Sequence, residues 1–520
     1  MLETRRAPVG MVAAADHLAA AAGLAMLRGG GTAVDAAVAA AGVMAVTSPH
    51  LCGLGGDLFA LVHAGDGPPA ALNASGRAGA GADPVGLRIE GHTEMPFRGD
   101  IRSVTVPGCV DGWLALHDRY GRLPLGEVLE PATVYAATGF PASPLLAASV
   151  AFLDGVPGAE ELFASHPVRT GDLVRRPGHA RTLQAIVAKR RDGFYVGEFG
   201  DALIDLGRGL FTADDLARSS ADWVDPLVAR AWDHDVWTIP PNSQGYLTLL
   251  GAAIADGLEL PGDPDDPGWA HLLVESARVA GHDRPQVLHD GSDVRALLAP
   301  DAVAGRRGRV SPDRAASRPV PIRPGGTTYL CAVDADRMGV SLIQSNAAGF
   351  GSHVFVPELG IGLQNRGVGF SLEPGHPAEY GPGRRPPHTL SPALVTRACG
   401  SLKAVLGTMG GDSQPQILLQ VLARMLAGGQ APGPAIAAPR WAIRNMNGTG
   451  FDTWTSADPA VTIEDGAPPA WFDGLRARGH EVVPAPYGSG FGHANMVEVT
   501  PSGLAGAADP RALIGDAAGY

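Results

Sequence analysis

The sequence predicts a mixed α/β fold. Three observations carry that expectation. Residues 16–46 read as two Ala-rich helices with recognisable caps. Residues 329–334 and 338–343 read as two successive short strands. No apolar run reaches the ~18 residues of a membrane span, so the apolar segments must build a core.

Taken in chain order, residues 10–14 are the first strand candidate. Asp16 is placed to cap a helix reaching Arg28, which Gly29-Gly30-Gly31 ends. Thr32, with Asp35 three residues on, imitates a capping box for a second helix to about Val46. Its small side chains permit close packing under a sheet. Gly53-Leu54-Gly55-Gly56-Asp57 could be misread as a phosphate loop. No Lys-Ser/Thr follows it, and a strand over 58–63 starts where a helix should, so a tight turn is the plainer reading. Val104-Thr105-Val106-Pro107-Gly108 leads into a helix containing Trp113 and Leu116. Residues 125–300 read mainly as helices with Pro and Gly breaks, one starting at Thr212-Ala213-Asp214-Asp215-Leu216. Pro240-Pro241-Asn242-Ser243-Gln244-Gly245 reads as a connection to a helix near Tyr246. Residues 301–324 show no clear periodicity and hold many Arg and Pro, as a mobile tail would. A strand over 403–406 precedes Gly410-Gly411 and a helix from about Gln416, with Pro415 at an early helix position.

Composition narrows the function. Length alone, 520 residues, suggests two to four domains. A formal charge of −13 argues against a nucleic-acid surface. Basic charge is almost all Arg, with Lys only at Lys189 and Lys403. Cysteines 52, 109, 331 and 399 show no CxxC or metal spacing and read as buried free thiols. His376, His388 and Cys399 also lack ligand spacing, so no metal site is expected. Behind Arg5-Arg6 there is no apolar signal-peptide core, so the expected location is cytoplasmic, with no membrane partner.

The most specific stretch is internal. Gly325-Gly326-Thr327-Thr328-Tyr329-Leu330 follows a Pro/Arg-rich run, Ser317 to Pro324. Taken alone it is a turn entering a strand. It is followed by Gln344-Ser345-Asn346-Ala347-Ala348-Gly349, then Pro357-Glu358-Leu359-Gly360, then Gly410-Gly411. Upstream stand Gly30-Gly31-Thr32-Ala33-Val34-Asp35 and Pro49-His50 with the Gly53–Asp57 turn. In this order the series resembles the γ-glutamyltransferase family of N-terminal-nucleophile hydrolases, in an atypical branch with oxamate amidohydrolases and cephalosporin-acylase-like members. The resemblance spans nearly the full length. It implies a four-layer αββα sandwich, two stacked antiparallel sheets flanked by helices. It also implies self-cleavage between Gly326 and Thr327. Residues 1–326 would then be a large subunit and 327–520 a small one, together one globular unit.

The residue types fit that chemistry. A Thr hydroxyl needs a base beside it, and a chain-terminal Thr carries one in its own α-amine. That amine's reference pKa, roughly 7.7–8.0, suits general-base work near neutrality. An internal Thr has an amide there instead, so cleavage creates the base. By resemblance Thr327 is the nucleophile, Ser345 stands where the family keeps a second Thr beside it, and Gly410 and Gly411 form the oxyanion hole.

Substrate recognition departs from ordinary γ-glutamyl enzymes. The usual acidic residue before Phe370 is Gly369, and the usual Gln three residues earlier is Arg366, which prefers a carboxylate. A usual Ser-Ser pair is His388-Thr389. The substrate-binding candidates are therefore Arg77, Asn346, Asn365, Arg366, His388 and Thr389, although Arg77 and Arg366 also read as surface residues. The resemblance implies a γ-glutamyl or glutathione hydrolase/acyltransferase. Hydrolysis of oxamate or another small anionic amide, or of a C–C bond, is the alternative, and an uncleaved binding protein is the rival from another class. No cofactor is required. The partners implied are a small-molecule amide and the two chains of one precursor as a heterodimer, with pairing of such heterodimers left open.

Overall fold

Two seven-stranded antiparallel sheets lie back to back in the computed structural model, which describes residues 2–162, 167–315, 326–444 and 460–520. The first sheet runs Asp516–Gly519, Met11–Ala14, Gly326–Val333, Gly339–Ala347, Asp57–His63, Ala70–Ala74 and Asp222–Val224. The second runs Arg5–Ala7, Gly503–Ala508, Ala494–Thr500, Leu402–Thr408, Ala393–Arg397, His234–Thr238 and Leu227–Ala231. Each sheet draws strands from both sides of Gly326.

The layering follows from period-two alternation. Along the Gly326–Val333 strand, Tyr329, Cys331 and Val333 face the second sheet. Leu330 and Ala332 face the helices instead. Phe59 and Leu61 point inward, while Leu58, Ala60 and Val62 point to the helices. In the second sheet Leu394 and Val405 meet that inner layer, and Ala393, Val395, Ala404 and Leu406 meet the outer helices. Strands apolar on both faces must be covered on both faces, and the result is a helix–sheet–sheet–helix sandwich.

The helix over the first sheet is Ala33–Thr47, whose 15 residues are all buried. Its Ala and Gly side chains let it sit under the sheet and against the His17–Arg28 helix, where a Cβ on Gly23 would lie 2.9 Å from the Ala36 carbonyl oxygen. Both helices start where the sequence places them. Asp16 accepts from the Leu18 N–H at 2.9 Å, and Thr32 with Asp35 closes a capping box. Tyr246–Asp256 and Pro267–Gly281 cover the second sheet.

Residues 125–300 are mainly helical, as expected, but three strands between 222 and 238, which the sequence did not show, extend both sheets. Their hairpin turns through Trp232 and Asp233 at φ 48° and 61°, positions where Asn-Gly is the usual signal. The stretch from 301 is not featureless, because Pro300–Arg307 is a helix. It is fastened by Arg307, which donates to the Ile254 and Ala253 carbonyls at 3.1 and 2.7 Å, so it shows no apolar stripe. Residues 316–325 lie outside the described residues. Of the cysteines, Cys399 is exposed and the other three are buried, as free thiols.

Between the sheets Gly407 admits the Tyr329 ring, because a Cβ there would stand 2.2 Å from a ring carbon. Tyr329 is buried and its hydroxyl bonds Ser341 at 2.9 Å, so the ring cannot swing away freely. Gly407→Ala should therefore destabilise the protein by about 1–3 kcal/mol through overpacking. Urea unfolding checks this: an unchanged midpoint would show that the inter-sheet layer yields.

Candidate active site

Thr327 is the second residue of its strand. The ladder with the neighbouring strand pairs Gly326 with Ala347 and Thr328 with Gln344, so the register slips at Thr327. Such a bulge re-aims a side chain. The Thr327 hydroxyl lies 3.0 Å from the Ser345 hydroxyl. Ser345 Oγ accepts from the Ala347 N–H at 2.8 Å and from Arg366 Nη2 at 3.3 Å. Either hydroxyl can donate across the 3.0 Å contact with Thr327. With Ser345 as donor, the arrangement can supply a hydrogen bond to the Thr327 oxygen as it gains charge.

Arg366 is 1% exposed. Its Nη1 donates to Thr389 Oγ1 at 3.0 Å, and its own N–H is held by Gln364 Oε1 at 3.1 Å. Burial lowers the guanidinium to about 10, opposed by Asp57 and Asp412, so it stays charged at neutral pH. Asp57 sits opposite Ser345 in the sheet ladder. Its Oδ1 accepts from the N–H groups of Gly76 and Gly108 at 2.9 and 3.3 Å, and its Oδ2 lies 3.2 Å from His388 Nε2.

Gly410 and Gly411 follow the Leu402–Thr408 strand and precede the Gln414–Leu422 helix. Their φ values are 135° and 55°, conformations that glycine adopts without strain. Among the described residues neither backbone N–H has an acceptor. Gln244 fixes the turn: its side-chain amide donates to the carbonyls of Gly411 and Thr389, each at 3.0 Å. Arg284 holds Gln244 Oε1 at 3.1 Å and pairs with the buried Asp412 at 2.6 Å. Two unoccupied N–H groups on a braced turn can stabilise an oxyanion.

The structure brings together Thr327, Ser345, Arg366 and Thr389. It places the other candidates differently. Asn346 follows Ser345 directly, and its Oδ1 is buried without a hydrogen-bond partner. It borders a small cavity with Cys52, Arg176 and His179. Asn365 is spent on structure, accepting from Ala348 N–H at 2.9 Å and donating to the Phe97 carbonyl at 2.8 Å. Arg77 faces two acids, Asp222 at 3.3 Å and Asp290 at 3.5 Å, and donates to the Gly383 carbonyl at 3.2 Å. His388 is wholly buried, with Nε2 on Asp57 and Nδ1 accepting from Leu390 N–H at 3.3 Å, so neither ring nitrogen faces a substrate. Sequence reasoning missed Asp57, Gln364 and Gln244. Asp57 and Gln244 stood in glycine-containing segments already noted, but nothing in one sequence tells a turn residue from a buried brace.

One group of possible metal ligands occurs among the described residues: His271, Glu275 and His480, all buried, with donor atoms within 4.8 Å of one another. His271 Nε2 donates to the Ser311 carbonyl at 2.7 Å, which leaves Nδ1 to accept from His480 Nε2 at 2.8 Å. Arg278 lies 3.7 Å from Glu275. His271, His480 and the Ser311 carbonyl thus form a hydrogen-bonded chain beside Glu275, and the group shares no residue with the Thr327 site. No helix among the described residues is long and apolar enough to cross a membrane.

The fold and this geometry agree with the comparisons to known proteins. The family model described as gamma-glutamyltranspeptidase matches residues 19–520. The chain is 36% identical to the oxamate amidohydrolase proenzyme of Klebsiella pneumoniae, over 98% of each protein. It is 28% identical to the glutathione hydrolase proenzyme of Escherichia coli, over 99% of this chain and 92% of that one. Among solved structures, cephalosporin acylase from Bacillus halodurans superposes with a TM-score of 0.90 at 33% identity, covering 100% of this chain and 97% of that one. The chain therefore belongs to the γ-glutamyltranspeptidase family of threonine-nucleophile hydrolases and acyltransferases.

Proposed function

We propose that this protein is a self-processing amidohydrolase whose acyl donor is a small amide bearing a carboxylate and no adjacent ammonium. Cleavage of the Gly326–Thr327 bond would divide the precursor into a large and a small chain that remain one unit. The freed α-amine of Thr327 then takes the proton of Thr327 Oγ1 as that oxygen attacks the donor carbonyl. The N–H groups of Gly410 and Gly411 receive the oxyanion, while Ser345 donates to Thr327 Oγ1. The leaving amine departs with the proton from the α-ammonium, giving an acyl ester on Thr327. Water, or an acceptor amine, attacks the ester by the reverse proton path.

The observation that carries the donor class is the buried Arg366 guanidinium, hydrogen-bonded to Ser345 and Thr389 beside the nucleophile. Position 369, where γ-glutamyl enzymes carry the acid that binds the donor's ammonium, has no room for one. A Cβ on Gly369 would lie 2.5 Å from the Pro387 carbonyl oxygen. The 36% identity with an oxamate amidohydrolase proenzyme points the same way.

Two substitutions test the reading. Arg366→Ala should lower kcat/KM for oxamate and for a glutaryl anilide by about ten- to a hundredfold, the worth of a charge-assisted hydrogen bond of ~1.5–3 kcal/mol. Self-cleavage should survive, since it needs Thr327 rather than the donor pocket. Glutathione as the best substrate, with Arg366→Ala neutral, would return the protein to γ-glutamyl transfer. Ser345→Ala should slow turnover by a similar factor of about ten or more and also slow processing, while Ser345→Thr should retain both. Wild-type rates in Ser345→Ala would remove Ser345 from the mechanism.

A further inference from the structure

Asp57 closes the Gly53-Leu54-Gly55-Gly56 turn and takes no part in the acyl chemistry above. It is nonetheless wholly buried, and both of its oxygens are engaged. A carboxylate at that depth persists only with fixed donors and a countercharge. Gly76, Gly108 and His388 are the donors, and Arg366 is the countercharge.

His388 is held in one tautomer. Its Nδ1 accepts from Leu390 N–H, so the proton is on Nε2 and is directed at Asp57 Oδ2. Phe59 packs edge-on against the ring with centroids 4.7 Å apart. Burial, together with the nearby Arg366 and Arg385, drives the imidazole well below its ordinary range, so it stays neutral. The next residue, Thr389, is the one that receives Arg366 Nη1, and Ser345, which receives Nη2, lies opposite Asp57 in the sheet. The Asp57–His388 contact therefore ties together the two hydroxyls that hold Arg366.

We propose that Asp57 and His388 are a buried positioning pair for donor recognition. They hold Ser345 and Thr389 around the Arg366 guanidinium, and the Asp57 carboxylate competes with the donor's carboxylate for that guanidinium's charge. This rests on the reading of Arg366 as the donor's anchor, and it adds an account of how tightly the anchor binds.

The competition makes binding depend on pH. Burial pushes the Asp57 carboxyl up to about 6, against the pull of Arg366 and of its hydrogen bonds. Below that value Asp57 takes a proton, Arg366 keeps Asp412 but loses Asp57 as a competing anion, and a carboxylate ligand binds more tightly. The other groups nearby keep their charge between pH 5 and 8. His388 stays neutral, burial holds the Cys109 thiol well above its usual range, and Arg366 remains a cation. The Thr327 α-amine also charges on acidification, but about its own higher value, roughly 7.7–8.0 in reference peptides.

The test uses the processed enzyme and L-lactate, a carboxylate that stays ionised across this range and has no amide to cleave. Calorimetry gives its Kd from pH 5 to 8 in wild type and in Asp57→Asn. Wild type should bind about tenfold more tightly at pH 5 than at pH 7, and Asp57→Asn should lose the component centred near pH 6. A second pair separates positioning from local folding. His388→Gln keeps an N–H that reaches Asp57, whereas His388→Asn keeps only the acceptor for Leu390. The Gln variant should stay within about threefold of wild type and the Asn variant should weaken by more than about tenfold. The same pH profile in Asp57→Asn, or equal affinities in the two His388 variants, would overturn the proposal alone. No saturable binding by wild type would overturn the reading of Arg366 and the proposal with it. Should Asp57→Asn fail to fold, a wild-type profile flat through pH 6 decides against the proposal, and the His388 variants decide independently.

Discussion

The contact between the Thr327 and Ser345 hydroxyls sits where two antiparallel strands slip register by one residue, and the rest of the site is arranged around it. The slip exists because Gly326 and Thr328 pair with Ala347 and Gln344, which leaves Thr327 across from the turn of the Ser345 side chain. Both strands lie in the middle of a sheet, flanked by Met11–Ala14 and Asp57–His63, so the register cannot drift without moving four strands. Thr327, the proposed nucleophile, is thus placed by the part of the fold least able to move. It is also placed by strands on either side of the proposed cut, which is why two chains could part covalently and remain one body.

Electrostatics sets the second constraint. At the candidate site the structure buries two guanidinium groups, Arg366 and Arg284, with two carboxylates, Asp57 and Asp412. Arg284 is closely paired with Asp412, while Arg366 donates to the Ser345 and Thr389 hydroxyls and lies in the field of both Asp57 and Asp412. A substrate carboxylate there would add a charge-assisted hydrogen bond to a guanidinium already held in place. Gln244 links the two halves, since it holds both Thr389 and the Gly410-Gly411 turn through the Thr389 and Gly411 carbonyls.

Much of this was legible in the sequence. Helix caps at Asp16, Thr32 and Thr212 are local chemistry, and each starts a helix where expected. The strands around Thr327 and Ser345 alternate cleanly, because each residue chooses between an inter-sheet layer and a helix layer. The strands near 230 were hidden by an unusual hairpin turn, and the Pro300–Arg307 helix was hidden because arginine hydrogen bonds, not an apolar stripe, hold it. At the site, the family resemblance pointed to Thr327, Ser345 and Arg366, but not to how they are braced. Asp57 and His388 are 331 positions apart, and only the folded sheet shows that they touch. The same limit explains Arg77 and Asn365, whose side chains look available in the sequence and are committed elsewhere in the fold.

The central claim is that Thr327 becomes a chain terminus and acts from there. Intact-mass measurement of the purified, active protein, with N-terminal sequencing of the smaller piece, tests it most directly. Two chains of roughly 33 and 20 kDa should account for the 53.3 kDa precursor plus one water, dividing the mass by length. The smaller chain should begin Thr-Thr-Tyr-Leu. A single intact chain of 53.3 kDa with full activity would contradict the account.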